Sequence, residues 1–125
     1  MAEEQKHLQD LSDDYQKLQG ELQFNVEARQ KLEAQQQENQ GVQKEFAKLA
    51  EDANIYKLVG PVLLKQEKSE AILAVNGRLD YIEKEIKRVE KLIGDIQEKS
   101  QSKKMEVYRL QTQMQQAQQQ VQAAS

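Results

Sequence analysis

At 125 residues the chain has room for one domain at most, and its composition is unusual: 31% charged, 5% aromatic, no Cys, no Trp and a single proline, Pro61. That excludes a disulfide framework, a thiolate nucleophile and the usual aromatic-rich globule, and the bias to Gln, Glu, Lys, Leu and Ala predicts long helices or coiled coil. The net charge of −3 divides into six cations against twelve carboxylates over residues 1–53 and twelve against nine over residues 54–125, which favours pairing of the two halves and leaves no basic patch for nucleic acid.

The stretch Met1 to Asp10 is polar and acidic and reads as no secretory signal. No apolar run approaches the ~20 residues of a membrane helix. A soluble chain in the cytoplasm, without membrane contact, is the expectation.

Residues 3–50 are predicted as one helix. Leu8, Leu11, Tyr15, Leu18 and Leu22 hold a heptad register, which continues through the polar positions Asn25, Arg29, Gln36 and Asn39, with Leu32 among them. A second run, Val42, Phe46, Leu49, Ala53 and Tyr56, is offset by three residues, so a stammer with local overwinding and a loosely packed polar middle are expected.

Residues 54–66 read as a β-hairpin. Ile55 to Val59 and Val62 to Lys65 are rich in β-branched and apolar residues, and Gly60-Pro61 separates them by a hairpin spacing. Both faces are apolar: Ile55, Val59, Val62 and Leu64 supply most of it, and Tyr56, Leu58 and Leu63 the rest. An isolated hairpin is marginal in water, and its two edges offer unpaired N–H and C=O groups. Pairing with hairpins of other chains in a shared sheet or barrel solves both problems, with Lys57 and Lys65 guarding against wrong edge pairing. The simpler alternative is a hairpin folded onto its own coiled-coil base.

Residues 67–122 are predicted as the second helix. Ile72, Val75, Leu79, Ile82, Ile86, Val89, Ile93 and Ile96 alternate in spacings of three and four, and the register passes through Ser100 and Lys103 to Val107, Leu110, Met114, Ala117 and Val121. So long a register without a skip predicts a left-handed coiled coil. Asp80 with Lys84 and Glu83 with Lys87 are spaced for i,i+4 ion pairs. The hairpin returns this helix antiparallel to the first. Positions summing to about 119 then face each other, with Phe46 near Ile72 and Leu8 near Gln111, and an arm of about 50 residues is ~75 Å long.

The stretch Ile55-Tyr-Lys-Leu-Val-Gly-Pro-Val-Leu-Leu-Lys-Gln-Glu67 resembles the hairpin of the prefoldin β-type subunit family. Gly77-Arg-Leu-Asp-Tyr-Ile82 and Glu85-Ile-Lys-Arg88 resemble its eukaryotic subunit 6 branch in particular, whereas Glu67-Lys-Ser-Glu-Ala-Ile72 departs from the Leu-Gly-type sequence of the animal subunit. The resemblance is specific over about residues 49–90; elsewhere it rests on heptad pattern and length. It implies that residues 1–125 form a single β-type domain, a two-helix coiled coil whose hairpin joins an inter-subunit β-barrel. It also implies α-type and other β-type subunits as partners in a heterohexamer. Unfolded clients, notably actin and tubulin, and the cytosolic chaperonin complete the set.

For chemistry the residues offer little. His7 is the one histidine and reads as solvated, and a zinc site would need carboxylates alone. Asp13-Asp14 and Glu51-Asp52 are adjacent, so on a helix they diverge by about 100° and make poor acid/base pairs. No phosphate-loop pattern surrounds Gly60. An enzyme, a metal and a cofactor are not expected. The candidate client-binding residues are those at the arm tip: Leu8, Leu11, Tyr15 and Leu18 on the first helix, Val107, Leu110, Met114 and Val121 on the second. Paired fully, they are ordinary seam residues; splayed, they are an exposed apolar patch. Ser100 and Lys103 favour loose packing just behind them, and the Gln-rich tract 111–122 would keep the patch soluble. A structural coiled-coil tether, with the hairpin as a mere connection, is the competing class; it predicts a stable homodimer.

Overall fold

A computed structural model describes residues 2–124; Met1 and Ser125 lie outside it. The order is α1 (Ala2–Lys48), β1 (Ile55–Val59), β2 (Val62–Gln66) and α2 (Lys68–Ala124). The strands pair antiparallel in a two-stranded sheet, with Ile55 opposite Gln66 and Val59 opposite Val62. Gly60 takes φ of 59° at the first loop position, and the proline ring holds Pro61 at negative φ. That φ combination belongs to a type II′ turn, whose twist matches the flanking strands. A side chain at position 60 would meet no clash, but its backbone would sit in the left-handed region that L-residues avoid.

Contacts divide the chain into two units. Residues 28–89 hold the hairpin and the helical segments that flank it. Here Gln43 Nε2 donates to Asn76 Oδ1 across the helix pair at 2.8 Å. The Lys68 ammonium donates to the Leu49 carbonyl at 2.9 Å, so the first residue of α2 satisfies a carbonyl that α1 leaves unpaired at its end. Residues 2–27 with 90–124 form the other unit. In it Lys103 reaches Asp14 at 3.8 Å, and Leu8 lines one shallow groove with Gln111 and Met114. These pairs fall near the expected sum of 119 in each unit.

Burial in α2 follows the heptad pattern. Val75, Ile82, Ile86, Val89, Ile93, Ile96 and Ser100 are buried, and Ile72 and Leu79 are half-buried. β-branched side chains have few rotamers to lose on packing, which suits a narrow seam between two helices. In α1 only Leu11 is buried among the described residues. Its polar seam positions are satisfied locally instead. Asn25 donates to the Glu21 carbonyl at 2.8 Å and Asn39 to the Gln35 carbonyl at 2.7 Å, and Arg29 pairs with Glu33 at 3.0 Å.

Two expectations need correction. The stammer does not fall inside a helix: Val42 and Gln43 are both exposed, but it is Gln43 that bonds Asn76 across the pair, so the first register runs on through it to the half-buried Phe46. The phase changes only at Leu49, past the end of α1, where Leu49 N bonds the Phe46 carbonyl in a tightened last turn, so no overwinding is needed. The Asp80–Lys84 pair is not formed, although Glu83–Lys87 is, at 3.6 Å. Arg88 pairs instead with Glu85 at 2.9 Å. Such exposed pairs gain little against the side-chain entropy they cost, so spacing alone does not decide them.

Candidate functional site

The hairpin carries six exposed apolar residues between positions 56 and 64. Strand alternation and the observed register sort its residues into two faces. Ile55, Lys57, Val59, Val62, Leu64 and Gln66 share one; Tyr56, Leu58, Leu63 and Lys65 share the other. Tyr56, Leu58, Val59, Val62, Leu63 and Leu64 are all exposed, Leu58 to 67%. Ile55 differs from the expectation that grouped it with them. It is 8% exposed, because it sits at the root of the hairpin, beside Phe46, Ala71 and Val75. It anchors the hairpin to the helices. The hairpin therefore does not fold onto its base beyond the root pair, buried Ile55 and half-buried Gln66. With two strands only, both edges are open.

The tip residues are brought together as a seam. Leu11 is 5% exposed and lies with Leu110; Tyr15 lies with Val107 and Lys104. Leu8, Tyr15, Leu18, Val107, Leu110 and Met114 are half-buried, and Lys104 is exposed. Val121 is 70% exposed and takes no part. Seam periodicity also hid Met105 and Tyr108, which project outward on α2 close to Val107, Tyr108 with 70% exposure. The available signal was their position off the 103–107–110 register.

Ser100 is the buried polar residue of the seam, and its Oγ has no hydrogen-bond partner. An unpaired buried hydroxyl costs about 1–3 kcal/mol. Ser100→Ala is therefore expected to raise the unfolding midpoint by a few degrees in a thermal melt followed by circular dichroism. A lowered midpoint would show that the hydroxyl is paired in solution. Below it, Lys103 occupies a seam position but turns its ammonium out to Asp14. The tip is thus separated from the isoleucine seam by a buried unpaired hydroxyl and a lysine that turns out to an ion pair.

Among the described residues no group of three or more His, Cys, Asp or Glu is placed to hold a metal ion. Glu85, by hydrogen bond and charge, raises the pKa of the exposed Arg88 guanidinium. No described helix is long and apolar enough to cross a membrane.

A family model described as "Prefoldin subunit" matches residues 9–114. The chain belongs to the prefoldin subunit family. Similar prefoldin subunits agree. It is 48% identical over 103 residues to prefoldin subunit 6 of Saccharomyces cerevisiae, spanning 82% of this chain and 90% of that protein. Identity to prefoldin subunit 6 of Homo sapiens is 45% over 114 residues, 91% of this chain and 88% of that one. The fold matches the prefoldin beta subunit from Thermococcus strain KS-1, with TM-score 0.76 at 23% identity over 81% of this chain and 89% of that one. Two long helices joined by a β-hairpin are therefore a prefoldin β-type architecture, and the chain is a subunit of this chaperone.

Proposed function

We propose that the chain is a β-type subunit of a heterohexameric prefoldin. Together with α-type and other β-type subunits it captures unfolded proteins without ATP, actin and tubulin among them, and passes them to the cytosolic chaperonin in the cytoplasm. One observation carries this reading: the chain builds a hairpin with two apolar faces and two open edges, and of its apolar side chains its own helices cover only Ile55. A coiled-coil tether has no use for such a surface. Tyr56, Leu58, Val59, Val62, Leu63 and Leu64 would be buried when hairpins close into a barrel, which removes the edges.

Client capture is assigned to the tips, at Leu8, Leu11, Tyr15, Leu18, Val107, Leu110, Met114 and Val121. Each tip holds an apolar client segment weakly, and several tips facing one cavity raise the effective affinity by ~10²–10⁴. Weak single contacts allow release without nucleotide. Since Leu11 is buried in the closed tip, capture requires the last turns to part.

The test is to reconstitute the hexamer with partner subunits, verify six chains by native mass spectrometry, and measure suppression of aggregation of an unfolded client without nucleotide. Replacing Leu11 and Leu110 together by Ser should reduce suppression while six-chain assembly persists. Unchanged suppression would remove the tips from client binding. A stable homodimer that ignores the partners would establish the tether instead.

A further inference from the structure

The inner face of the hairpin does not end at the strands. From Val59 and Val62 it runs through Lys57 and Leu64 to Ile55 and Gln66. There it opens into a groove of about 210 Å³ between the hairpin root and the two helices. The floor is apolar, with Phe46, Ile55 and Val75, and Val42 and Ala74 form exposed apolar walls. Two cations rim it, Lys57 from β1 and Arg78 from α2. Both are exposed, and neither bonds a carboxylate among the described residues.

We infer that this groove is a socket for a neighbouring prefoldin subunit, which inserts an apolar side chain flanked by a carboxylate between Ala74 and Val42, within reach of Arg78 and Lys57. The inference rests on the hexameric reading above and extends its interface from the strands to the helical base. Two features select the occupant. The socket is continuous with the exposed hairpin face, so a chain already paired along the strands reaches it without a further encounter. And an apolar floor under two unpaired cations is complementary to an apolar residue next to Asp or Glu, not to an apolar segment alone. Charge complementarity of this kind fixes register and suppresses wrong neighbours more than it adds affinity. The socket therefore bears on which subunit sits beside this one.

The chain has no cysteine, so Ala74→Cys gives it a single thiol at an exposed helical position on the groove wall. Labelled there with a photo-crosslinker before reconstitution with partner subunits, it should crosslink in the hexamer to a neighbouring subunit, at a peptide with an apolar residue beside Asp or Glu. Lys57→Glu combined with Arg78→Glu should lower that crosslink yield by about tenfold or more. The double change leaves the chain folded, because both side chains are exposed. Crosslinks confined to the labelled chain, or made to an added unfolded client, overturn the socket even where the hexamer forms, and leave the hexameric reading standing. If the unlabelled, unsubstituted chain enters no six-chain species, the hexameric reading fails and the socket with it.

Discussion

Leu58→Asp is expected to abolish entry into six-chain assemblies while leaving the isolated chain as helical as before. Leu58 is 67% exposed, so in the free chain the carboxylate stays in water at little cost. Closing hairpins into a barrel would strip that water away with no cation on the same face except Lys65, across the ladder beside Tyr56. Burying an unpaired carboxylate costs several kcal/mol, and each ~1.4 kcal/mol is tenfold in the association constant. Native mass spectrometry at equal subunit concentrations reads this directly. A six-chain species of normal abundance would show that this hairpin face stays solvated in the assembly.

The second large effect concerns the seam. Ile82 is 3% exposed in the centre of the buried run of α2. Ile82→Ala removes three carbons from a site between two helices that cannot close on the space, and such truncations cost about 2–5 kcal/mol. For a protein whose stability is ~5–15 kcal/mol, that is a large share. Leu92, off the register and 38% exposed, is the matched control: Leu92→Ala should cost well under half as much in a urea unfolding series. Equal costs at the two positions would mean that the helices pair on a different face.

Much of this was legible because α2 repeats one requirement many times. Its isoleucines and valines recur at spacings that only a heptad explains, so single exceptions such as Ser100 do not obscure the pattern. The hairpin was legible for a different reason: Gly60-Pro61 sits between two apolar runs, and glycine supplies the positive φ that the loop demands. What escaped depends on geometry outside any one periodicity. Ile55 looks like its strand neighbours in sequence, yet only the root of the hairpin is close enough to Phe46 and Val75 to be covered. Val42 and Gln43 differ by about 100° around α1, and the longer, polar side chain is the one that reaches across to Asn76. Tyr108 lies off the seam register, and its outward direction follows from the register of its neighbours.

The antiparallel return has a consequence for the order in which the protein folds. Near the hairpin, the contact between Leu49 and Lys68 joins residues 19 apart in the chain, and that between Gln43 and Asn76 residues 33 apart. Towards the tip, Asp14 and Lys103 must meet across 89 residues of sequence. Loop-closure entropy rises with each doubling of separation by about 0.6 kcal/mol if the intervening chain is still free, but by almost nothing if it is already paired. The helices therefore zip from the hairpin outward, each new contact closing only a short additional loop. Unzipping, by the same argument, begins at the opposite end, which is the end assigned to clients.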